Sequence, residues 1–237
     1  MRVINRNASP TSGAWATLRG DLIASSPAVL WTFEGTGAPE DQIGSNDATG
    51  PFVSTANFVF QKSGWGGGLS LEQKPSSSGD GWYTPSGTRI GSGNWSLFVL
   101  VKPRIGSSRD MYTQRGIGGE FADSLQFIHN SSGLLIVYQY ANASVQMFTS
   151  SGAINAGSWY AIGITFDSST GTLRIFLEGV SIQSETTTSW SPASNTSSIG
   201  NDARNLTDGF DGDYQALVLW ATRVSDSTMQ ALVDQVS

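Results

Sequence analysis

The stretch Asn94-Trp-Ser-Leu-Phe-Val-Leu-Val-Lys-Pro103 decides the fold. It is apolar on both faces of an extended chain and stops at Pro103, which has no N–H to give a ladder. Both features belong to a central strand buried from two sides. Downstream, Ser124–His129 and Leu134–Tyr140 read as two more strands, joined by the hairpin signal Asn130-Ser-Ser-Gly133. Trp159–Phe166 alternates, with Tyr160, Ile162, Ile164 and Phe166 opposite Ala161, Gly163 and Thr165. After the turn Asp167–Gly171, Leu173, Ile175 and Leu177 continue the alternation, and Glu178-Gly179 turns the chain into Val180–Ser184. Tyr214–Trp220 is a last strand, with Tyr214, Ala216, Val218 and Trp220 expected on one face. A short helix follows, capped by Ser225 or Asp226, with Met229, Leu232, Val233 and Val236 on its apolar side.

Upstream, Ala28–Phe33 reads as a first strand and Asp41–Gly50 as a turn-rich loop. Ser63–Glu72 is a glycine-rich corner leading into a strand. Residues 1–27 form a separate lead-in, in which Trp15, Leu18, Leu22 and Ile23 recur at helical spacing until Pro27. The expected architecture is all-β: a two-sheet antiparallel jelly-roll sandwich over 28–237, preceded by an arm with a short helix over 1–27 and closed by a short C-terminal helix. No internal repeat and no long linker divides it.

Composition narrows the function classes. Of 237 residues only 14% are charged, against about 25% in an ordinary domain, and the net charge is -6. Phosphate neutralisation supplies most nucleic-acid affinity and needs a basic face. With lysines only at 62, 74 and 102, neither nucleic acid nor an anionic membrane surface is an expected partner. The absence of cysteine excludes disulfides, thiolate metal sites and cysteine nucleophiles. Met1–Arg6 carries no apolar h-region, so no secretory signal is expected, and no apolar run reaches the roughly 20 residues that span a bilayer.

Little in the chain points to catalysis. His129 is the single histidine, and it lies in a strand pattern away from any G-x-S-x-G elbow. A retaining glycosidase on such a sheet needs two carboxylates about 5–5.5 Å apart, supplied by alternate positions of one strand. Glu120 and Asp123 are three apart, on opposite faces of a strand, and Asp167 and Glu178 sit at strand ends. Among the tryptophans, Trp95 and Trp159 fall in buried patterns. Trp82, Tyr83 and Trp190 lie in loop-rich stretches and are the candidates for a protein or glycan contact, together with Val3, Ile4, Trp15 and Leu18 of the arm.

The order of these pieces resembles the laminin-G-like, pentraxin-like jelly roll of the concanavalin A-like group. Leu30-Trp-Thr-Phe-Glu34 matches its opening strand, and Asp41–Ala48 its Asp-x-x-Gly-x-Asn-Asp loop. Gly67-Gly-Leu-Ser-Leu71, Asn94–Pro103, Trp159–Asp167 and Gly171–Gly179 match the strands that follow. Ile199-Gly-Asn201 with Phe210-Asp-Gly212 matches the close. The lead-in Leu18–Trp31 is also similar to the opening of such domains in bacteriophage structural proteins.

The resemblance implies binding or assembly without catalysis and without a required cofactor. Its first implication is a virion accessory protein, a capsid decoration or tail component that adheres to other virion subunits and forms a homo-oligomer. The alternative is a lectin-like module for a surface glycan. The resemblance also implies that calcium, which takes six to eight oxygen ligands, could bridge the early and late loops through Asp41, Asn46, Asp47, Asp211 and Asp213. The chain departs from the family's pattern at Gln215, where an Asp is frequent.

Overall fold

A computed structural model describes residues 13–50, 57–74, 81–104, 109–115, 125–130, 132–133, 135–141, 143–148, 154–178, 180–186, 196–201 and 209–236. The elements in chain order are α1 (Ala14–Ala24), β1 (Val29–Thr32), β2 (Glu40–Asp41), β3 (Phe58–Ser63), β4 (Leu69–Gln73), β5 (Trp82–Tyr83), β6 (Trp95–Pro103), β7 (Arg109–Arg115), β8 (Leu125–His129), β9 (Leu135–Ala141), β10 (Ala143–Phe148), β11 (Tyr160–Asp167), β12 (Thr172–Leu177), β13 (Val180–Thr186), β14 (Thr196–Ile199), β15 (Gly212–Trp220) and α2 (Asp226–Val233). They build two antiparallel sheets. The nine-stranded sheet runs β13-β12-β11-β6-β15-β1-β2, with β4 also on β15 and β3 on β4; the six-stranded sheet runs β10-β9-β8-β7-β14-β5.

Strand β6 occupies the centre that its sequence demands, between β11 and β15. Its two apolar faces serve two cores. Trp95, Leu97, Val99 and Val101 belong to the core between the sheets, with Trp31, Tyr112, Phe127, Ile162 and Ile164. Phe98 and Leu100 belong to a second core on the outer face of the nine-stranded sheet, under both helices. There Trp15, Leu18 and Leu22 of α1 and Met229, Leu232 and Val233 of α2 cover Ala161, Phe176, Ala216, Val218 and Trp220. Gly163 admits α2, since a Cβ there would stand 2.5 Å from the Met229 thioether. Ser225 caps α2 by accepting from the Thr228 N–H at 3.1 Å.

The lead-in therefore differs from a docking arm where it is described. Trp15 and Leu18, expected to face a partner, are 5% and 0% exposed inside their own chain. The apolar side of α1 is spent on the sheet, and Trp15 Nε1 donates to Glu34 Oε1 at 2.9 Å.

A second departure lies in β15. Its register slips between Tyr214 and Ala216. Tyr214 consequently joins the core between the sheets with Leu217 and Leu219, while Ala216, Val218 and Trp220 turn to the helices. The extra residue of a bulge inverts the alternation that follows it. Gln215 sits at the slip, fully buried, and clamps the glycine-rich corner: its Oε1 accepts from Trp65 N at 2.6 Å and its Nε2 donates to Trp65 O at 3.0 Å. Glycines 64 and 68 make room for it, because a Cβ at either would collide with the Gln215 amide. An Asp in this position could not donate. Gln215→Leu strands the Trp65 N–H, leaves the Trp65 carbonyl with the Gly68 N–H alone, and is expected to lower the unfolding free energy by about 1–3 kcal/mol. The check is a lower urea midpoint at an unchanged m-value.

Candidate functional site

Two sheets have four faces, and three of them are occupied. Two face each other across the main core, and α1 and α2 cover the outer face of the nine-stranded sheet. The fourth is the outer face of the six-stranded sheet. Among the described residues, neither helix packs on it.

Register shows what this face presents. Trp82, Tyr112, Leu125, Phe127, Leu135, Val137 and Ile199 belong to the main core, so positions alternating with them lie outside. One row crosses all six strands: Tyr83 opposite Ser198, Ser198 opposite Thr113, Thr113 opposite Gln126, Gln126 opposite Tyr138, and Tyr138 opposite Gln146. Five strand spacings make it roughly 24 Å long. Beside it, Ile128 and Ile136 pair in register; both are buried, yet neither belongs to the two cores. The side chains described in this row are those of Tyr83, Ser198 and Thr113.

Its middle is tightly held. Thr113 Oγ1 and Ser198 Oγ hydrogen-bond at 2.7 Å, and Ser198 Oγ donates to the Asn201 carbonyl at 2.7 Å. Both side chains are 1% exposed. Gly200, at φ +81°, anchors this turn: its N–H donates to Met111 O at 3.0 Å, and its carbonyl accepts from Phe210 N at 2.7 Å and Gln73 Nε2 at 2.9 Å. The Asn201 side chain is fully buried there, and neither of its amide atoms has a hydrogen-bond partner among the described residues.

Of the aromatic contact candidates, Tyr83 is exposed, at 39%. Trp82, expected beside it on the surface, is 1% exposed and stacks in the main core, its ring 4.2 Å from Phe58 and 6.3 Å from Phe33. The two-residue strand β5 alternates like any other, so only one of the adjacent rings can point outward. Val3, Ile4 and Trp190 lie outside the described residues.

The acidic candidates form two groups, and they do not fit one ion. Asp41 accepts from Leu30 N, Ile43 N, Asn46 N and Asn46 Nδ2 at 3.0–3.2 Å, and Asp47 accepts from Asp41 N at 2.8 Å. Four donors saturate one carboxylate. Asp41 pairs with Trp31, and Trp31 with Leu217, four residues along β15 from Asp213. The groups are thus separated by roughly 13 Å along the strands and roughly 10 Å across them, whereas calcium holds its oxygens at 2.3–2.6 Å.

The second group is an ion-pair network on the outer face of the nine-stranded sheet. Arg104 Nε lies 2.8 Å from Asp211, its Nη1 contacts Glu72, and Nη2 donates to Gln73 O at 2.7 Å. Lys62 Nζ lies 2.6 Å from Glu72 and 3.9 Å from Asp213, and Lys102 Nζ lies 3.9 Å from Asp213. Burial pushes the Glu72 carboxyl up, but hydrogen bonds from Lys62 and Arg104 outweigh it and hold the group below the ordinary range. Burial dominates at Asp213 and holds it above that range despite the lysines. Ionised Asp213 therefore costs stability above its raised pKa, and the cost fades as pH falls through that value. Asp213→Asn is expected to raise Tm slightly at neutral pH, with the gain vanishing in acid; melting curves across pH test the sign.

No described pair of acids suits glycoside cleavage. Glu120 and Asp123 lie outside the described residues. Asp167 pairs with Thr172, while Glu178 follows Leu177 at the far end of the same hairpin, roughly 20 Å away. Glu72 and Asp213 do sit opposite each other, yet both are at least nine-tenths buried and face protein cations. A separate cavity of about 250 Å³, lined by Thr88, Arg89, Asn94, Trp95 and Trp220 among others, has no carboxylate in its wall.

Two antiparallel sheets packed face to face, with helices on one outer face, make the sandwich a lectin-like jelly roll. The chain belongs to the concanavalin A-like lectin/glucanases superfamily, whose family model matches residues 76–229. No curated protein matches it in sequence.

Solved structures share the fold. Domain 4 of AbnA, a GH43 extracellular arabinanase from Geobacillus stearothermophilus, in complex with arabinotriose, matches 87% of this chain and 98% of its own at 14% identity and a TM-score of 0.67. The CBM40 of the Ruminococcus gnavus IT-sialidase, bound to alpha2,3 sialyllactose, matches 70% of this chain and 97% of its own at 14% identity and a TM-score of 0.56. A Trypanosoma rangeli sialidase matches 94% of this chain, which spans 38% of that longer protein, at 13% identity and a TM-score of 0.64.

Proposed function

We propose that the chain is a non-catalytic carbohydrate-binding module whose ligand lies on the outer face of the six-stranded sheet. The observation that carries this is strand register, which sets the backbone positions of Tyr83, Gln126, Tyr138 and Gln146 on the face that the helices leave free, on either side of the buried Thr113–Ser198 pair. Phenol and amide groups exchange hydrogen bonds with sugar hydroxyls, and aromatic rings stack on the apolar face of a pyranose or furanose. Modules of this fold bound to sialyllactose and arabinotriose support the reading.

For adhesion to virion subunits, Trp15, Leu18 and Trp82 are removed as contacts by burial in their own chain, while Val3, Ile4 and Trp190 lie outside the described residues. The proposal is tested on a glycan array that includes arabino-oligosaccharides and sialylated lactose. Retention of a restricted set of glycans is the expected outcome, and failure to retain any opposes it.

A further inference from the structure

We infer that Lys62, Lys102 and Arg104 stand in for a divalent cation at Glu72, Asp211 and Asp213, so that the domain keeps this end of the sandwich closed without calcium. The cluster has what a hard cation seeks: three carboxylates gathered from β4, β15 and the residue before β15, on one sheet face. Glu72 and Asp211 are bonded directly by protein cations, and Asp213 has two ammonium groups at 3.9 Å, although its Oδ1 has no hydrogen-bond partner among the described residues.

Lys62 is the closest substitute. Its ammonium stands between Glu72, at 2.6 Å, and Asp213, at 3.9 Å, where a bridging ion would sit. Arg104 joins Glu72 to Asp211 through separate nitrogens, and Lys102 reaches Asp213 from β6. Three positive charges balance three negative ones. An added divalent ion would meet ammonium and guanidinium groups at contact distance. The early loop offers no alternative, because Asp41 is filled by N–H donors. These cations are held covalently, on β3, β6 and the residue after Pro103.

The test compares thermal unfolding of the native protein and of Lys62→Gln/Arg104→Gln in millimolar calcium and in EDTA. Terbium luminescence sensitised by tryptophan serves as a direct binding probe. Native protein is expected to melt at the same temperature in both buffers and to leave terbium dark. The variant exposes the carboxylates and is expected to gain several degrees in calcium, as any ligand specific to the folded state confers. If the double variant does not fold in EDTA, recovery of its melting transition on adding calcium counts in favour. Should it fail to fold in calcium as well, Lys62→Gln alone makes the same comparison. Calcium stabilisation of the native protein, or terbium binding to it that Asp213→Asn removes, overturns the inference. So does a folded variant whose Tm ignores calcium.

Discussion

Trp15→Ala is expected to lower the free energy of unfolding by about 3–5 kcal/mol, which for a domain of this size is a fall in Tm of roughly 10 °C. Trp15 is 5% exposed and packs in the helix-side core beside Leu18, Trp65 and Phe98. Its indole fits the glycine-rich corner so closely that a Cβ at Gly68 would strike it, and one at Gly66 would strike the Trp15 backbone. Truncation leaves a large cavity between a helix and a sheet that cannot collapse, because Gln215 holds the corner in place. It also removes the hydrogen bond to Glu34. Circular dichroism melts of the two proteins measure the effect. An unchanged Tm would mean that α1 is detached in solution and free to dock elsewhere.

Tyr138→Ala is expected to weaken glycan binding about 30-fold, the roughly 2 kcal/mol typical of a central aromatic contact. Position 138 lies in the row between Gln126 and Gln146, away from the turn that covers Ser198 and Thr113. Tyr83→Ala, at the other end of the row, tests whether the ligand reaches the far side of that turn. Tyr83 is 39% exposed and belongs to neither core, so its replacement should change stability by no more than about 0.5 kcal/mol. Titration calorimetry with the best glycan from the array gives the affinities, and melting curves give the control. A loss of binding that merely tracks a loss of fold would remove Tyr138 from the site.

Much of the fold could be read from single strands. Strand β6 is apolar on both faces because a core lies on each side of it, and β11 and β12 alternate because their register is regular. The serine-capped start of α2 and the turn after β11 were equally plain. Strands β7, β10 and β14 escaped notice for a common reason. They belong to the six-stranded sheet, whose outer row is polar, and β14 reads Thr-Ser-Ser-Ile with one core residue in four. Its serines are buried by pairing, Ser198 with Thr113 and Ser197 with Thr84, which hydropathy does not register. The bulge at Gln215 put Tyr214 on the face opposite to that expected, since an inserted residue leaves no mark in composition.

The candidate site was less legible, and the cause is geometric. Its row joins positions 83, 113, 126, 138, 146 and 198, and only strand register brings them side by side. Tyr83 was found as an aromatic residue in a turn-rich stretch. Trp82 was drawn to the surface by the same signal, although β5 turns it inward. The acids of the early and late loops were plausible as one ion site until the sheet placed four residues of β15 and two strand spacings between them.

The most direct test sets the native protein and Tyr138→Ala side by side on a glycan array in the presence of EDTA. Binding of the native protein to a narrow group of sugars, unaffected by the chelator and largely abolished in the variant, is the result predicted here. Equal binding by the two proteins, or no binding by the native one, would contradict a glycan site on the outer face of the six-stranded sheet.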